Sequence, residues 1–326
     1  LAQGPALGED RSLAATTLQI GDIFRAAGRL NEAHQAYEQA LHLFAQRAEA
    51  NHGMTAQRDH LVALTRLCQI ALNRNDLERA DSWLDRAREL VDSLIARHPS
   101  VPMLRHDRWV LALAEGDLRQ QQSRFDAAIA SYQSALDTLV SFPSPTAENR
   151  FIRDQMITRK RMAWTLLSAY DAGSFDRLAE AEKHIRLALR HDRNAVTSGE
   201  GEWSAKYDLA HDLAALGAIQ RRQGELDAAR ASLVESVSLF RALATQDAHR
   251  WSFQYDLSRV QYELGEVNIS EGDRQSARVL FEEALNRLKR LNERSADDHR
   301  TDSLINRIEK AKQQTRAGTS APHDID

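Results

Sequence analysis

The sequence predicts an all-α solenoid of about six long helix-turn-helix repeats with a C-terminal capping helix. Three observations predict it. The stretch from Trp203 to Leu233 is rewritten 48 residues later, from Trp251 to Phe281, and a fixed period of that size marks a stacked repeat. Aromatics are only 6% of the residues, while Ala, Leu, Arg, Glu and Gln abound, a mix that favours helix over sheet. Six prolines and fourteen glycines in 326 residues are too few for a loop-rich fold.

The rewritten stretch supplies a template. It reads Leu-Gly, then seven residues on a Gly, five on an Ala, four on a bulky apolar residue and three on a small one. In chain order, the first copy matches at Ile20, Gly21, Phe24, Gly28, Ala33, Tyr37 and Ala40. The second matches more loosely at Leu67, Cys68, Ala80, Leu84 and Ala87. The third matches at Gly116, Ala128, Tyr132 and Ala135. The fourth matches at Trp164, Leu167, Ser168, Ala181, Ile185 and Ala188 if one residue is added near Gly173. The fifth is Leu216, Gly217, Gly224, Ala229, Leu233 and Ser236, and the sixth is Leu264, Gly265, Gly272, Ala277, Phe281 and Ala284. The alanine anchors are separated by 47, 48, 53, 48 and 48 residues.

The expected organisation is a loose lead-in over 1–11, repeats near 12–50, 54–98, 101–142, 146–191, 203–246 and 248–294, a capping helix over 300–316 and a disordered tail over 317–326. "SFPSPTAEN" (141–149) reads as a Pro/Ser turn and "HDRNAVTSGEGE" (191–202) as the longest linker. In "TDSLINRIEKAKQQT" (301–315), Leu304, Ile305 and Ile308 form the apolar side of a helix with an otherwise polar surface, which suits a terminal cap.

These residues resemble the tetratricopeptide repeat (TPR), whose pattern is Trp-x2-Leu-Gly-x2-Tyr…Ala-x3-Phe. The resemblance covers about residues 12–294. It implies helix-turn-helix units stacked into a right-handed superhelix, with peptide ligands along a concave face lined by the first helix (A) of each unit. The period departs from the usual value of about 34 residues. The extra length, close to four helical turns, is absorbed if each arm gains about two. Helix A of the fifth copy is then expected from Trp203 to Gln223 and helix B from Leu226 to Leu243. Long repeats of this kind resemble arrays appended to bacterial multidomain signalling proteins, such as serine/threonine kinases and signalling NTPases.

Net charge is −4, so no global basic field exists for nucleic acid or anionic lipid. A single cysteine, Cys68, excludes an intrachain disulfide and a cysteine-rich zinc site. No apolar run approaches the roughly 20 residues of a membrane span. The chain opens on Leu1 rather than Met, so it is expected to be processed or excised from something longer. A cytoplasmic location is favoured; a periplasmic one follows if a span lies upstream of Leu1.

Catalytic and cofactor motifs are missing. There is no phosphate-binding glycine loop, no GxSxG elbow, and no HExxH or paired Cys-x-x-Cys spacing. No catalytic residue, metal site or cofactor is expected within these residues. The two "RHDR" runs, at 105–108 and 190–193, read as solvated charges near helix ends. Cys68 reads as a packing residue in the glycine position. Asn268-Ile269-Ser270 is a formal glycosylation sequon inside helix A and is expected to be unused.

Residues shared between copies serve stacking, and residues that vary at inward-facing positions are free to serve a partner. The packing set is Gly21, Ala33, Tyr37, Ala80, Gly116, Ala128, Tyr132, Trp164, Ala181, Trp203, Tyr207, Gly217, Ala229, Trp251, Tyr255, Gly265, Ala277 and Phe281. For Trp203, Tyr207, Trp251 and Tyr255, a grip on ligand is the alternative reading. The partner-binding candidates are His211, Arg221, Arg222, Arg259, Tyr262 and Glu266, with Asp117, Gln120, Gln121, Arg159 and Arg161 from earlier copies; the alternative for them is a solvated groove wall. Arginines present bidentate donors for carboxylate or phosphate, so an acidic or phosphorylated peptide is the expected ligand. The Lys and Asn set with which some TPR domains clamp chaperone C-termini is not matched. The lead function is a non-catalytic protein- or peptide-binding scaffold, the sensing or docking module of a larger signalling protein. The alternatives are an oligomerisation scaffold for an upstream effector, and the regulatory part of an enzyme whose catalytic domain precedes Leu1.

Overall fold

The computed structural model describes residues 7–50, 52–140, 148–199, 202–293 and 298–317. Within them the chain is a succession of thirteen α-helices with no strand. It divides into two compact units, Leu1–Asp176 and Arg177–Asp326. The first holds α1 (Leu7–Ala26), α2 (Leu30–Ala50), α3 (Met54–Asn73), α4 (Leu77–Arg97), α5 (Pro102–Gln121), α6 (Phe125–Val140) and α7 (Glu148–Asp171). The second holds α8 (Leu178–Thr197), α9 (Glu202–Gln223), α10 (Leu226–Gln246), α11 (Trp251–Ser270), α12 (Arg274–Asn292) and α13 (His299–Ala317). The odd-numbered helices from α1 to α11 are A helices and the even-numbered ones B helices. Within each unit an A helix packs on its own B helix, that B helix packs on the next A helix, and consecutive A helices also touch.

Each A-to-B turn is closed in the same way. A residue in the left-handed region ends the helix, and its N–H and the next N–H return to carbonyls three and five residues back, a Schellman cap. At Gly28 (φ 78°) the pair is Gly28 N–H to Arg25 and Arg29 N–H to Phe24. Gly224 and Gly272 repeat it in the second unit. Asn75 and Ser123, both at φ 58°, do the same without glycine.

The hairpins close around a contact between a small residue on A and a bulky one on B. A Cβ at Gly21 would lie 2.5 Å from the Tyr37 ring, and one at Gly217 would lie 2.5 Å from Leu233. Gly116 faces Tyr132 and Gly265 faces Phe281 in the same close manner. A Cβ there would run into the bulky side chain of helix B unless that side chain moved, so glycine gives the closest fit. The alanines Ala33, Ala80, Ala128, Ala181, Ala229 and Ala277 are all fully buried. Cys68 is buried too, and burial pushes its thiol up to about 12, so it is an inert packing group.

Several boundaries differ from expectation. α1 begins at Leu7, inside the expected lead-in. α8 continues to Thr197, so most of the expected 191–202 linker is helix. No glycine or proline interrupts residues 191–198, and the stop comes only at Gly199, φ 74°. α10 likewise runs to Gln246 and α13 spans His299–Ala317. Of the expected Pro/Ser turn over 141–149, residues 148 and 149 belong to α7, and of the expected tail over 317–326, Ala317 belongs to α13; residues 141–147 and 318–326 lie outside the described residues. Neither "RHDR" run is simply solvated. Asp107 is 8% exposed and pairs with Arg58, and Asp192 is buried beside His191.

Candidate functional site

Consecutive A helices are joined by a polar ladder whose rungs recur with the repeat. In the first unit Arg11 donates to Asp59 at 2.9 Å, Arg58 to Asp107 at 2.5 Å, and His106 sits 3.5 Å from Asp154. Trp109 Nε1–H donates to Thr158 at 2.9 Å, and Gln120 to Ser168 at 3.3 Å. In the second unit Tyr207 donates to Asp256 at 2.8 Å, and His211 Nε2 lies 3.1 Å from the same oxygen. Each donor reaches the A helix that follows its own, close to one period along the chain. In the first unit the acceptors Asp59, Asp107 and Asp154 follow one another at 48 and 47 residues, and Asp256 is the acceptor of the second unit, 102 residues beyond Asp154 in the sequence.

The candidates of the second unit sit inside this ladder. Arg259 contacts both Asp256, at 3.4 Å, and His211 Nδ1, at 3.1 Å. Burial alone would raise the Asp256 carboxyl, but His211, Arg259 and Tyr207 outweigh it and hold the group well below the usual range. Arg221 and Arg222 both reach Glu263 on α11, at 3.3 and 2.8 Å, and the Arg222 side chain is 7% exposed. Burial opposes the Glu263 charge, yet Arg222 and Arg221 bring its pKa down to about 2. Tyr262 is buried beneath Arg307, whose guanidinium lies 4.8 Å from the ring centre. Half-buried Glu266 is raised by desolvation. Thus the arginines that vary between copies hold internal carboxylates, and Ala214 and Ala218, at helical spacing from His211 and Arg221 on α9, are buried. Trp251 stacks on Tyr255 at 4.7 Å with Arg300 above it at 4.2 Å, whereas Trp203 remains 42% exposed under Arg250.

In the first unit the A helices leave an open cleft of about 220 Å³ between α3, α5 and α7. Its apolar wall is Leu72, Trp109, Val110, Leu113, Ala114 and Ile157; its polar rim is Thr65, Arg66, Gln69, Asp117 and Arg161. Asp117 accepts from the Tyr132 hydroxyl at 2.8 Å and pairs with Arg161. Arg66 pairs with Asp22 at 2.9 Å, and Asp22 accepts from Tyr37 at 2.7 Å. Of the sequence candidates, Asp117 and Arg161 meet at this cleft. Gln120 is tied to Ser168, Gln121 is exposed at the end of α5, and Arg159 is half-buried on α7. Arg66, Gln69 and Trp109 were missed. One signal could have found Arg66: Gly21-Asp22, Tyr37 and Arg66 recur as Gly116-Asp117, Tyr132 and Arg161, each shifted by 95 residues.

A second, larger hollow of about 810 Å³ lies between α10, α11 and α12, lined by Val234, Val237, Arg241, Ala242, Leu264 and Leu280 among others. It opens on the B helices. Among the described residues no group of three His, Cys, Asp or Glu side chains is placed to hold a metal, and no helix is long and apolar enough to cross a membrane.

No family model matches the chain, and no curated protein matches it. Solved structures do. BtubC (BKLC) from P. vanneervenii is similar over 91% of this chain and 94% of its own, at 15% identity and a TM-score of 0.54. The apo form of RapI is similar over 94% of this chain and 72% of its own, at 10% identity and a TM-score of 0.57. A tetratricopeptide repeat protein from Parabacteroides merdae is also matched, over 91% of this chain and 99% of its own, at 12% identity and a TM-score of 0.34. With its recurrent capped hairpins and small-to-bulky crossings, the chain has a TPR-like, all-α helical-repeat fold.

Proposed function

We propose that the chain is a non-catalytic protein-binding scaffold that takes an extended peptide across its A helices, with the α3/α5/α7 cleft as the anchor point. The observation that carries this reading is the cleft itself, an apolar floor under a rim of hydrogen-bonding groups, which is the usual composition of a recognition pocket. Its volume suits one apolar side chain. Trp109, Leu113 and Ile157 would enclose that side chain, while Thr65 and Gln69 are placed to meet peptide amides.

The ligand class that fits best is an acidic or phosphorylated peptide. Arg66 and Arg161 each hold one carboxylate, and a guanidinium has five N–H donors, so each retains donors for an incoming anion. The arginines of the second unit favour this location over their own, because Arg221, Arg222 and Arg259 are already engaged with Glu263 and Asp256. In this reading the array is the docking or sensing part of a larger signalling protein.

The test is a peptide array of acidic, phosphorylated, neutral and basic sequences, probed with the wild-type chain and with Ala114→Trp, which fills the cleft from its half-buried wall. Selective capture of acidic peptides, weakened at least about tenfold in a variant with unchanged helicity, is expected. Equal capture of all classes, or an undiminished signal from Ala114→Trp, would overturn the assignment.

A further inference from the structure

The hollow between α10, α11 and α12 carries an inference independent of the cleft, because it lies in the other unit and opens on the B helices. One wall is a stripe of α10, in which Val234, Val237, Ser238, Arg241 and Thr245 share a side of the helix. The stripe runs for about 17 Å, or three helical turns. Leu264 of α11 and Leu280 of α12 supply apolar surface opposite it. A solenoid repeat touches only its neighbours. A repeat added at an end of the array would therefore stack on a terminal helix and leave this hollow open.

The charges at its mouth are unmatched. Elsewhere in the unit Arg222, Arg230, Arg259 and Arg278 each hold a carboxylate. Arg241, exposed on the α10 wall, and Arg290, exposed on α12, hold none among the described residues. Half-buried Arg287 gives its donors to neutral groups, Ser258 at 3.3 Å and Gln261 at 2.7 Å. The three arginines stand within electrostatic reach of one another. Burial is the main cause that lowers the Arg287 pKa; Glu283 opposes it, and Arg290 and Arg241 lower it further. Glu283 is the one acid in that group, and it accepts from Gln261 at 2.6 Å.

We propose that the hollow docks an amphipathic helix of another protein, with its apolar stripe on Val234, Val237, Leu264 and Leu280 and a flank of Glu or Asp against Arg241, Arg287 and Arg290. Two features select this occupant. An extended peptide would set unpaired N–H and C=O groups over an apolar surface, which is costly. A helix pairs those groups internally and docks through side chains alone. The arginines select the charge, because an acidic flank is attracted and oriented by them while a basic one is repelled. Val234, 50% exposed at the centre of the apolar patch, is the side chain that gains most cover. The undescribed segment 318–326 of this chain does not fit, because Ile325 is its only large apolar residue.

A display library of helix-forming peptides, panned on the 326-residue chain and counter-selected on Ala242→Trp, tests this directly. Ala242 is exposed on the hollow's wall, so tryptophan there fills the space without entering the core. Circular dichroism and the unfolding midpoint check that the variant is folded. Enriched peptides are expected to carry apolar residues at i, i+3 or i+4, and i+7, flanked by Glu or Asp. Measured singly by fluorescence anisotropy, they should bind Ala242→Trp at least about tenfold more weakly than wild type. The same loss is expected with Arg241→Glu combined with Arg290→Glu, two exposed positions. Exchanging the peptide's acids for lysine should restore binding to that double variant and remove it from wild type. Ala114→Trp, which blocks only the cleft of the first unit, should bind these peptides as wild type does. Failure to enrich any peptide, enrichment without acidic residues, or undiminished binding to the double variant would overturn the proposal. Self-association in sedimentation equilibrium that Ala242→Trp abolishes would also overturn it, by assigning the hollow to a second copy of the chain.

Discussion

The Tyr132 hydroxyl donates to Asp117 at 2.8 Å while its ring occupies the space that a Cβ on Gly116 would need. One side chain therefore closes the hairpin and sets a rim group of the cleft. Gly116→Ala brings two effects into opposition. Alanine gains up to about 1 kcal/mol of helix propensity, and overpacking against a buried ring costs about 1–3 kcal/mol. The ring is fully buried and tied at its hydroxyl, so it has little freedom to move aside. Net destabilisation of roughly 1 kcal/mol is expected, read as a lower urea midpoint. A raised midpoint would mean that the helices can part there at no cost.

Ser123 adopts φ 58° in a turn where Gly28, Gly224 and Gly272 occupy the equivalent place. A side chain in the left-handed region costs about 1–2 kcal/mol relative to glycine, offset by glycine's greater freedom in the unfolded chain. Ser123→Gly is therefore expected to stabilise the first unit by about 0.5–1 kcal/mol. Asn75→Gly should gain less, because asparagine tolerates that region better. Thermal unfolding of the two variants side by side measures the difference, and a loss of stability in Ser123→Gly would contradict the strain argument.

The helices were legible because their two determinants are local and repeated. The interval of sixteen residues from Gly21 to Tyr37 recurs from Gly116 to Tyr132 and from Gly265 to Phe281, and it is one hairpin turn in space. The end of α8 was not, because charged residues after His191 look like linker while containing nothing that breaks a helix. The candidate site was harder for a different reason. Arg221 and Arg222 differ from copy to copy, which marks them as free, but their partner Glu263 lies on the next A helix, about 40 residues away. Comparing acidic columns across copies would have exposed the ladder. Asp59, Asp107 and Asp256 keep register even where the residues around them change.

Asp256 gathers Tyr207, His211 and Arg259 from two helices. The pair Tyr207–Asp256 is expected to couple by about 1–2 kcal/mol in a double-mutant cycle with Tyr207→Phe and Asp256→Asn. Asp256→Asn alone should cost about 3 kcal/mol, because Arg259 then loses its carboxylate in a buried site. Tyr207→Phe alone should cost about 1 kcal/mol. Additive losses across the cycle would show that the hydrogen bond contributes nothing beyond its two parts.

Glu263 makes the pH dependence of the second unit testable. Its carboxyl titrates near 2 in the folded chain, against about 4.3 when unfolded. A depressed folded value means that its stabilisation is complete above about pH 5 and is lost as pH falls from about 4.5 toward 2. The contribution is on the order of 3 kcal/mol. Glu263→Gln should therefore lie well below wild type in unfolding free energy at pH 7, with the gap narrowing at pH values near 3. The neutral amide also leaves Arg221 and Arg222 facing each other without an anion, so added salt should recover part of the loss at pH 7. A gap that stays constant with pH would show that Glu263 acts through packing alone.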